Sequence, residues 1–343
     1  MLLIYLSLSA VVILFSTLVL QRWGEAPVAI AHLLFVGGVA PLIFAAIAHF
    51  VPVLTRGRQA HGSVRWTPLL LQLAGVTAFL GFSTGSASLT TFALVAVGVL
   101  LVALNFAAWL LVRARNTLGS PHPCWLWYLA AVVLLCLGLT LVPAMVWWPG
   151  LRHELRLVHL HLNILGFIGL TALGTLQVLL PTALGEPDSG AAARLRRGWP
   201  RAAAAVLAIA VGAAVWLPLA LAGALLLGAV TLEIGVAWAR QYGWPTLTRD
   251  GAAVSLCAAP AAFFVLLVCG AVHGLRLLDP ASAAIAFAVG FLMPLVTGAL
   301  SQLLPVWCYP GQRNAPRERL RVALTSAGAV RALFFVCAGV LLA

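Results

Sequence analysis

Lysine is absent from this chain, and only 8% of its 343 residues are charged. A soluble domain has about a quarter of its residues charged, so the scarcity of charge and a hydrophobic content of 63% exclude a water-soluble surface. The positive charge is carried by arginine alone and is interpreted as a signal of membrane orientation. The composition predicts an integral membrane protein surrounded by a lipid bilayer, with no nucleic-acid partner.

Closely spaced cysteines are also lacking. The chain has six cysteines, but they form no C-x-x-C pair and none of the dense spacing of a disulfide framework. Most of them are therefore interpreted as small buried hydrophobic residues.

Long apolar runs, by contrast, fill the whole chain. A transmembrane helix needs about 20 apolar residues. This length criterion predicts eleven helices in a single transmembrane domain spanning residues 1–343. The predicted spans are 2–20, 27–54, 66–84, 87–112, 124–148, 156–183, 200–218, 220–240, 252–275, 281–308 and 320–342.

The second, sixth and tenth predicted helices share one spaced pattern. In each, a glycine precedes a proline by 15 residues, and in the first two copies a histidine precedes that proline by 20 residues. The pattern predicts an internal repeat with units at 1–120, 121–248 and 249–343, the last lacking one helix of four. The glycine, proline and histidine residues are Gly37, Pro52 and His32; Gly166, Pro181 and His161; and Gly290 and Pro305.

Arginine is distributed unevenly between the two sides of the predicted membrane. The connections after the even-numbered helices carry fifteen arginines, and the opposite connections carry four, namely Arg22, Arg152, Arg156 and Arg276. Positive connections stay on the cytoplasmic side. The expected location is a bacterial inner membrane, with the N-terminus cytoplasmic and the C-terminus facing outward.

Five of the eight histidines collect at the predicted outer end of the helices: His32, His153, His159, His161 and His273. Ionisable side chains in a bilayer are costly and indicate function, and imidazole suits iron and copper. A membrane histidine also serves as a plain interhelical hydrogen bonder, and that alternative stays open.

The spacing within this group separates its members. His159 and His161 are two residues apart, so on a helix they point about 200° away from each other and do not easily share one metal. Cys269 and His273 are four apart and share a helix face, which makes them a candidate ligand pair for copper or haem iron.

These residues carry a resemblance. Three units of about four helices, with the string HLHLNILGFIGLTALGTLQVLLPT as the most specific part, resemble haem-copper oxidase subunit I and, more closely, its NnrS-like branch, associated with nitrogen-oxide metabolism. The resemblance implies an all-α fold with haem b or copper as cofactor. It makes His32 and His161 the most transferable ligands, with His159 after them.

The departures from that family exclude its complete oxygen-reducing centre. An oxidase of this plan carries histidines on its seventh and tenth helices, and the corresponding stretches 200–218 and 281–308 contain none. A tyrosine is expected four residues after the copper histidine of the sixth helix, whereas Leu165 follows His161. A remodelled cofactor scaffold is expected instead.

Two further charges lie in the predicted membrane spans, Glu233 and Arg331. Three interpretations are open: the two pair with each other, Arg331 contacts a haem propionate, or both are structural or snorkelling groups.

Three functional hypotheses follow. The first is a haem- or copper-binding protein in electron transfer or in nitric-oxide or metal-stress handling, served by an outer-face electron-transfer protein or by subunits of a membrane complex. If it is an enzyme, it is an oxidoreductase subunit, and the catalytic residues are undefined. The second is a transporter for a small molecule or metal, for which internal repeats are also normal. The third is a cofactor-free structural subunit of a membrane redox complex.

Overall fold

The structure, a computed structural model, describes residues 2–57, 60, 62–275, 277–278, 283, 286–311 and 314–342. Eleven long helices follow one another within these residues. Their bounds are α1 Leu2–Arg22, α2 Pro27–Leu54, α3 Thr67–Thr84, α4 Leu89–Arg115, α5 Cys124–Trp147, α6 Pro149–Leu184, α7 Ala191–Val215, α8 Leu217–Leu247, α9 Gly251–Gly274, α10 Phe287–Cys308, and α11, which has two parts, Ala315–Ser326 and Gly328–Leu342.

The helices have the length and composition of membrane spans. In the described part of the chain, ten are long and apolar enough to cross a bilayer, and α1 adds the shorter apolar stretch Leu2–Thr17. This confirms the prediction of an all-helical membrane protein with about eleven helices. Three arginines used in the orientation argument, Arg58, Arg276 and Arg313, lie outside the described residues.

Side-chain caps fix the starts of several helices. Ser88 accepts a hydrogen bond from the amide of Thr91 at the start of α4. Asp250 accepts from the amides of Ala252 and Ala253 at the start of α9. Each cap satisfies backbone donors that the first turn of a helix leaves without an intrahelical partner.

The helix α7 starts nine residues earlier than its apolar run predicts, at Ala191. The added turns contain Arg194. Its guanidinium donates to the carboxylate of Asp188, in the preceding connection, at 2.6 Å and to Gln177 on α6 at 2.9 Å. Both members of this ion pair are buried, and the pairing offsets the cost of burying their charges. Hydrophobicity alone places Arg194 in a loop, whereas the ion pair holds it inside the helix.

The three helices of the predicted repeat share a feature that the sequence pattern does not reveal. Each contains a π-helical segment: His32–Val39 in α2, Leu162–Gly169 in α6 and Phe287–Leu292 in α10. Each segment ends 12 or 13 residues before the shared proline. Such segments are rare and frequently lie at functional sites.

The three prolines lie in the last turn of their helices, since α2, α6 and α10 continue to Leu54, Leu184 and Cys308. A proline removes one backbone donor and clashes with the carbonyl one turn back. Each helix therefore ends within a turn of its proline, at the predicted residue in α2 and α10 and one residue later in α6.

The chain divides into two compact units, described separately below. The first unit comprises Leu2–Thr171 and Val206–Ala220, and the second unit comprises Ala172–Ala205 and Leu221–Ala343. The three repeat boundaries and the single-domain description stay predictions.

Aromatic contacts form the core of the first unit. The ring centroid of Phe44 on α2 lies 4.6 Å from that of Phe106 on α4 and 5.4 Å from that of Phe167 on α6. All three side chains are fully buried or nearly so. Burying an aromatic side chain contributes roughly 1.5–3 kcal/mol, so this cluster fixes α2 against α6.

Glycines let helices approach closely in both units. A Cβ atom on Gly75 of α3 would collide with the backbone of Gly37 on α2. In the second unit, a Cβ atom on Gly339 of α11 would come within 2.6 Å of the Gly290 Cα on α10. The repeated glycine is therefore a site of backbone contact in the first and third copies.

Candidate histidine site

His32 is the first residue of the π segment of α2. Its Nδ1 lies 2.7 Å from the carbonyl oxygen of Val28, one turn earlier. A carbonyl only accepts, so Nδ1 carries the proton and Nε2 is left with a lone pair in the neutral ring. The Phe82 ring lies 4.8 Å from the imidazole and stacks in turn on Phe92 at 3.9 Å. The imidazole is thus held by one hydrogen bond and one aromatic neighbour.

His159 lies on α6, shortly before its π segment. Its Nδ1 lies 2.8 Å from the carbonyl oxygen of Gly138 on α5 and 3.3 Å from the side-chain amide nitrogen of Asn163. The shorter contact is to an atom that only accepts, so it assigns the proton to Nδ1 and leaves the lone pair on Nε2. The Asn163 amide donates to the His159 carbonyl at 2.6 Å.

His32 and His159 belong to the same compact unit, the first. The Phe44–Phe167 contact joins the two helices that carry them. Each imidazole is neutral, has its tautomer set by a carbonyl, and offers Nε2 as an atom that could coordinate a metal.

His161 repeats the local arrangement of His32. Its Nδ1 lies 2.8 Å from the carbonyl oxygen of Leu157, four residues earlier, as His32 bonds Val28. It also directly precedes the π segment of α6. The equivalence predicted from the 20-residue step to Pro181 therefore extends to the hydrogen bond that orients the ring.

The remaining candidate ligands occupy other places. His153 is exposed in the first turns of α6. In the second unit, His273 Nδ1 lies 2.8 Å from the Leu278 carbonyl oxygen, and Cys269 is a partly buried free thiol. Over the described ranges, no group of three or more histidine, cysteine or acidic residues is placed to hold a metal ion.

The two intramembrane charges do not pair with each other. Glu233 bonds Arg201 on α7 at 2.7 Å and lies 3.9 Å from Arg197. Arg331 donates instead to Ser301 Oγ at 3.2 Å and to the Leu324 carbonyl oxygen at 3.3 Å. The neighbouring helix α7 supplies Glu233 with its cations, so of the three open interpretations the mutual pair is not the one that the structure has.

Sequence reasoning missed two parts of the site. The π segments have no simple sequence signature. The Gly138 carbonyl contacts His159 through the backbone, and the identity of a side chain does not predict such a contact.

Comparisons with family models, with curated proteins and with solved structures find no match to this chain.

Proposed function

We propose that this membrane protein binds a redox-active metal group, with haem b as the group and His32 and His159 as the residues that would hold it. The observation that carries the proposal is that both histidines, in the same compact unit, have Nδ1 against a backbone carbonyl, which leaves Nε2 for a metal. Haem iron accepts up to two protein ligands, because the porphyrin supplies the other four.

The donor set fits such a group chemically. The carbonyls of Val28 and Gly138 accept the Nδ1 protons, which raises the basicity of each ligand and sets its ring orientation. Phe82 gives His32 an apolar neighbour, and burial of this kind tunes a metal's reduction potential. When bound, the haem would supply one-electron chemistry.

The proposed setting follows the sequence analysis. Arginine-rich connections facing the cytoplasm of a bacterium place His32 and His159 near the outer face, where an electron-transfer partner has access. The resemblance to the NnrS-like branch of the haem-copper oxidases supports a role in electron transfer or in nitric-oxide or metal-stress handling. Whether that role is catalytic or carrier-like depends on the group bound.

The test is an optical spectrum with metal analysis of the purified protein. We expect a Soret band and bound iron in the natural chain, both strongly reduced in His32→Ala and in His159→Ala, because each variant would remove one of the two residues that hold the group. His49→Ala, on the same helix as His32, is the matched control and should keep the spectrum.

Three other outcomes decide between alternatives. Copper in place of iron, lost in the same two variants, would keep the histidine pair and change the metal. Retention of haem in both variants would refute the assignment of the ligands. A colourless, metal-free natural protein would refute the proposal and favour a transporter or a structural subunit.

A further inference from the structure

Arg331 lies at a break in α11 within the second unit. The helix is interrupted at Ala327, and Arg331 is one turn into the following part, Gly328–Leu342. Its guanidinium donates to the Leu324 carbonyl oxygen, which the interruption leaves without its usual helical partner, and to Ser301 Oγ on α10. Both acceptors are neutral, so they satisfy N–H groups without compensating the charge.

Two further donors in the same region have no acceptor. Across the described residues, Arg331 Nε is buried without a hydrogen-bond partner, and so is the side-chain amide nitrogen of Gln302, the residue after Ser301 on α10. The carboxylates that the structure describes in ion pairs bond other arginines, not Arg331. A cation in apolar surroundings whose N–H groups lack acceptors raises the free energy of the fold, unless an anion binds beside it and accepts those hydrogen bonds.

The unused groups define the chemistry of that anion. An arginine fork and an amide N–H both donate, so the complementary group carries several acceptor oxygens and a negative charge. A phosphate group meets both requirements, and arginine recognises it through parallel hydrogen bonds.

The depth of Arg331 suits a phosphate at a membrane surface. Its partner Ser301 lies seven residues before the end of α10, which corresponds to about 10 Å along a helix, and Arg331 follows the α11 break by four residues. Arg331 is partly exposed, so a ligand has access.

We propose that Arg331, with the Gln302 amide beside Ser301, forms an anion site for a phosphate group, carried by an anionic phospholipid headgroup or by free inorganic phosphate. Basic pockets between membrane helices recognise phospholipid headgroups through the same donors. The site is independent of the histidine pair and of any metal group bound there.

The experiment compares variants in nanodiscs by thermal unfolding. The protein is placed in phosphatidylcholine alone, in phosphatidylcholine with increasing phosphatidylglycerol, and in phosphatidylcholine with added inorganic phosphate at constant ionic strength. Arg331→Gln is the test variant. Arg319→Gln, an exposed arginine on the preceding part of α11, is the matched control because it removes the same charge.

We expect phosphatidylglycerol to raise the midpoint temperature of the natural chain and of Arg319→Gln. In Arg331→Gln, the apparent affinity should fall tenfold or more, as loss of a charged hydrogen bond of about 1.5 kcal/mol implies. Stabilisation by phosphatidylglycerol alone identifies a lipid headgroup, and stabilisation by inorganic phosphate in neutral lipid identifies a free ion.

Equal losses in the two arginine variants would show a general charge effect and overturn the proposal, as would the absence of stabilisation by either anion. If Arg331→Gln fails to fold, Gln302→Leu decides instead, since it preserves side-chain size and removes only a neutral amide. We expect that variant to weaken the effect severalfold, and full retention would overturn the proposal.

Discussion

The helices α2 and α10 carry the same framework but different chemistry. Each has a π segment ending 13 residues before its proline, and each places its repeated glycine against a glycine of another helix, Gly37 with Gly75 and Gly290 with Gly339. Only α2 carries a histidine, at the first residue of its π segment. The difference teaches that the π segment and the glycine contact do not depend on a histidine, so both belong to the scaffold, and His32 is the residue that the proposed function adds to it.

The aromatic neighbours extend this comparison. In α2, His32 lies against Phe82, and in α10 the π-segment residue Phe291 lies 5.0 Å from Phe263. One framework thus supports an imidazole against a ring in the first unit and a ring against a ring in the second unit. The second arrangement stabilises packing without offering a ligand atom.

The strongest test of a shared framework is the close glycine contact. Gly75→Ala and Gly339→Ala should each destabilise the protein by roughly 1–3 kcal/mol, because the new methyl group collides with backbone atoms and the helices must separate. Thermal unfolding in detergent measures this. Gly98→Ala and Gly270→Ala meet open space and should be neutral or slightly stabilising.

A large loss in only one of the two glycine variants would break the comparison between α2 and α10. Losses of similar size in the Gly98 and Gly270 controls would show that any added methyl group destabilises these helices. The close glycine contacts would then not explain the losses in Gly75→Ala and Gly339→Ala.

The next test separates function from packing. Phe82→Leu should shift the absorbance maximum of the bound group by releasing the His32 ring, with a stability cost of about 1 kcal/mol. Phe263→Leu should cost about 1–2 kcal/mol and leave the spectrum unchanged, since Phe263 is fully buried against Phe291. Optical spectra and thermal unfolding of both variants check this, and an unchanged Phe82→Leu spectrum would contradict it.

The smallest expected effects concern the helix caps, one in each unit. Asp250→Ala removes two hydrogen bonds to the backbone and should cost about 1–2 kcal/mol, whereas Ser88→Ala removes one and should cost about 0.5–1 kcal/mol. Unfolding midpoints of the two variants measure the order. Equal midpoints would show that the number of capped amides does not set the cost.

The sequence predicted the class and most helix positions, because apolar runs of membrane length leave few other choices. It also predicted that His32 and His161 are equivalent, and both rings donate to a carbonyl one turn earlier. The pattern could not show that the Gly138 carbonyl orients His159, since that contact depends on how α5 packs against α6.

Charged residues were harder to place than apolar ones. Hydrophobicity assigns Arg194 to a loop, and only its buried ion pair with Asp188 explains why α7 begins earlier. The sequence likewise left open a pair between Glu233 and Arg331, because a one-dimensional pattern does not say which helices are adjacent. Tertiary neighbours decide the partner of a membrane charge.

The single residue between α7 and α8, Trp216, has a consequence for how the chain enters the bilayer. A connection this short cannot leave one helix inserted while the other waits outside, so the two helices enter as a hairpin. Arg201 on α7 and Glu233 on α8 are bonded at 2.7 Å, so a hairpin of these two helices carries the two charges as a neutralised pair. The ion pair lowers the cost of insertion as well as stabilising the finished fold.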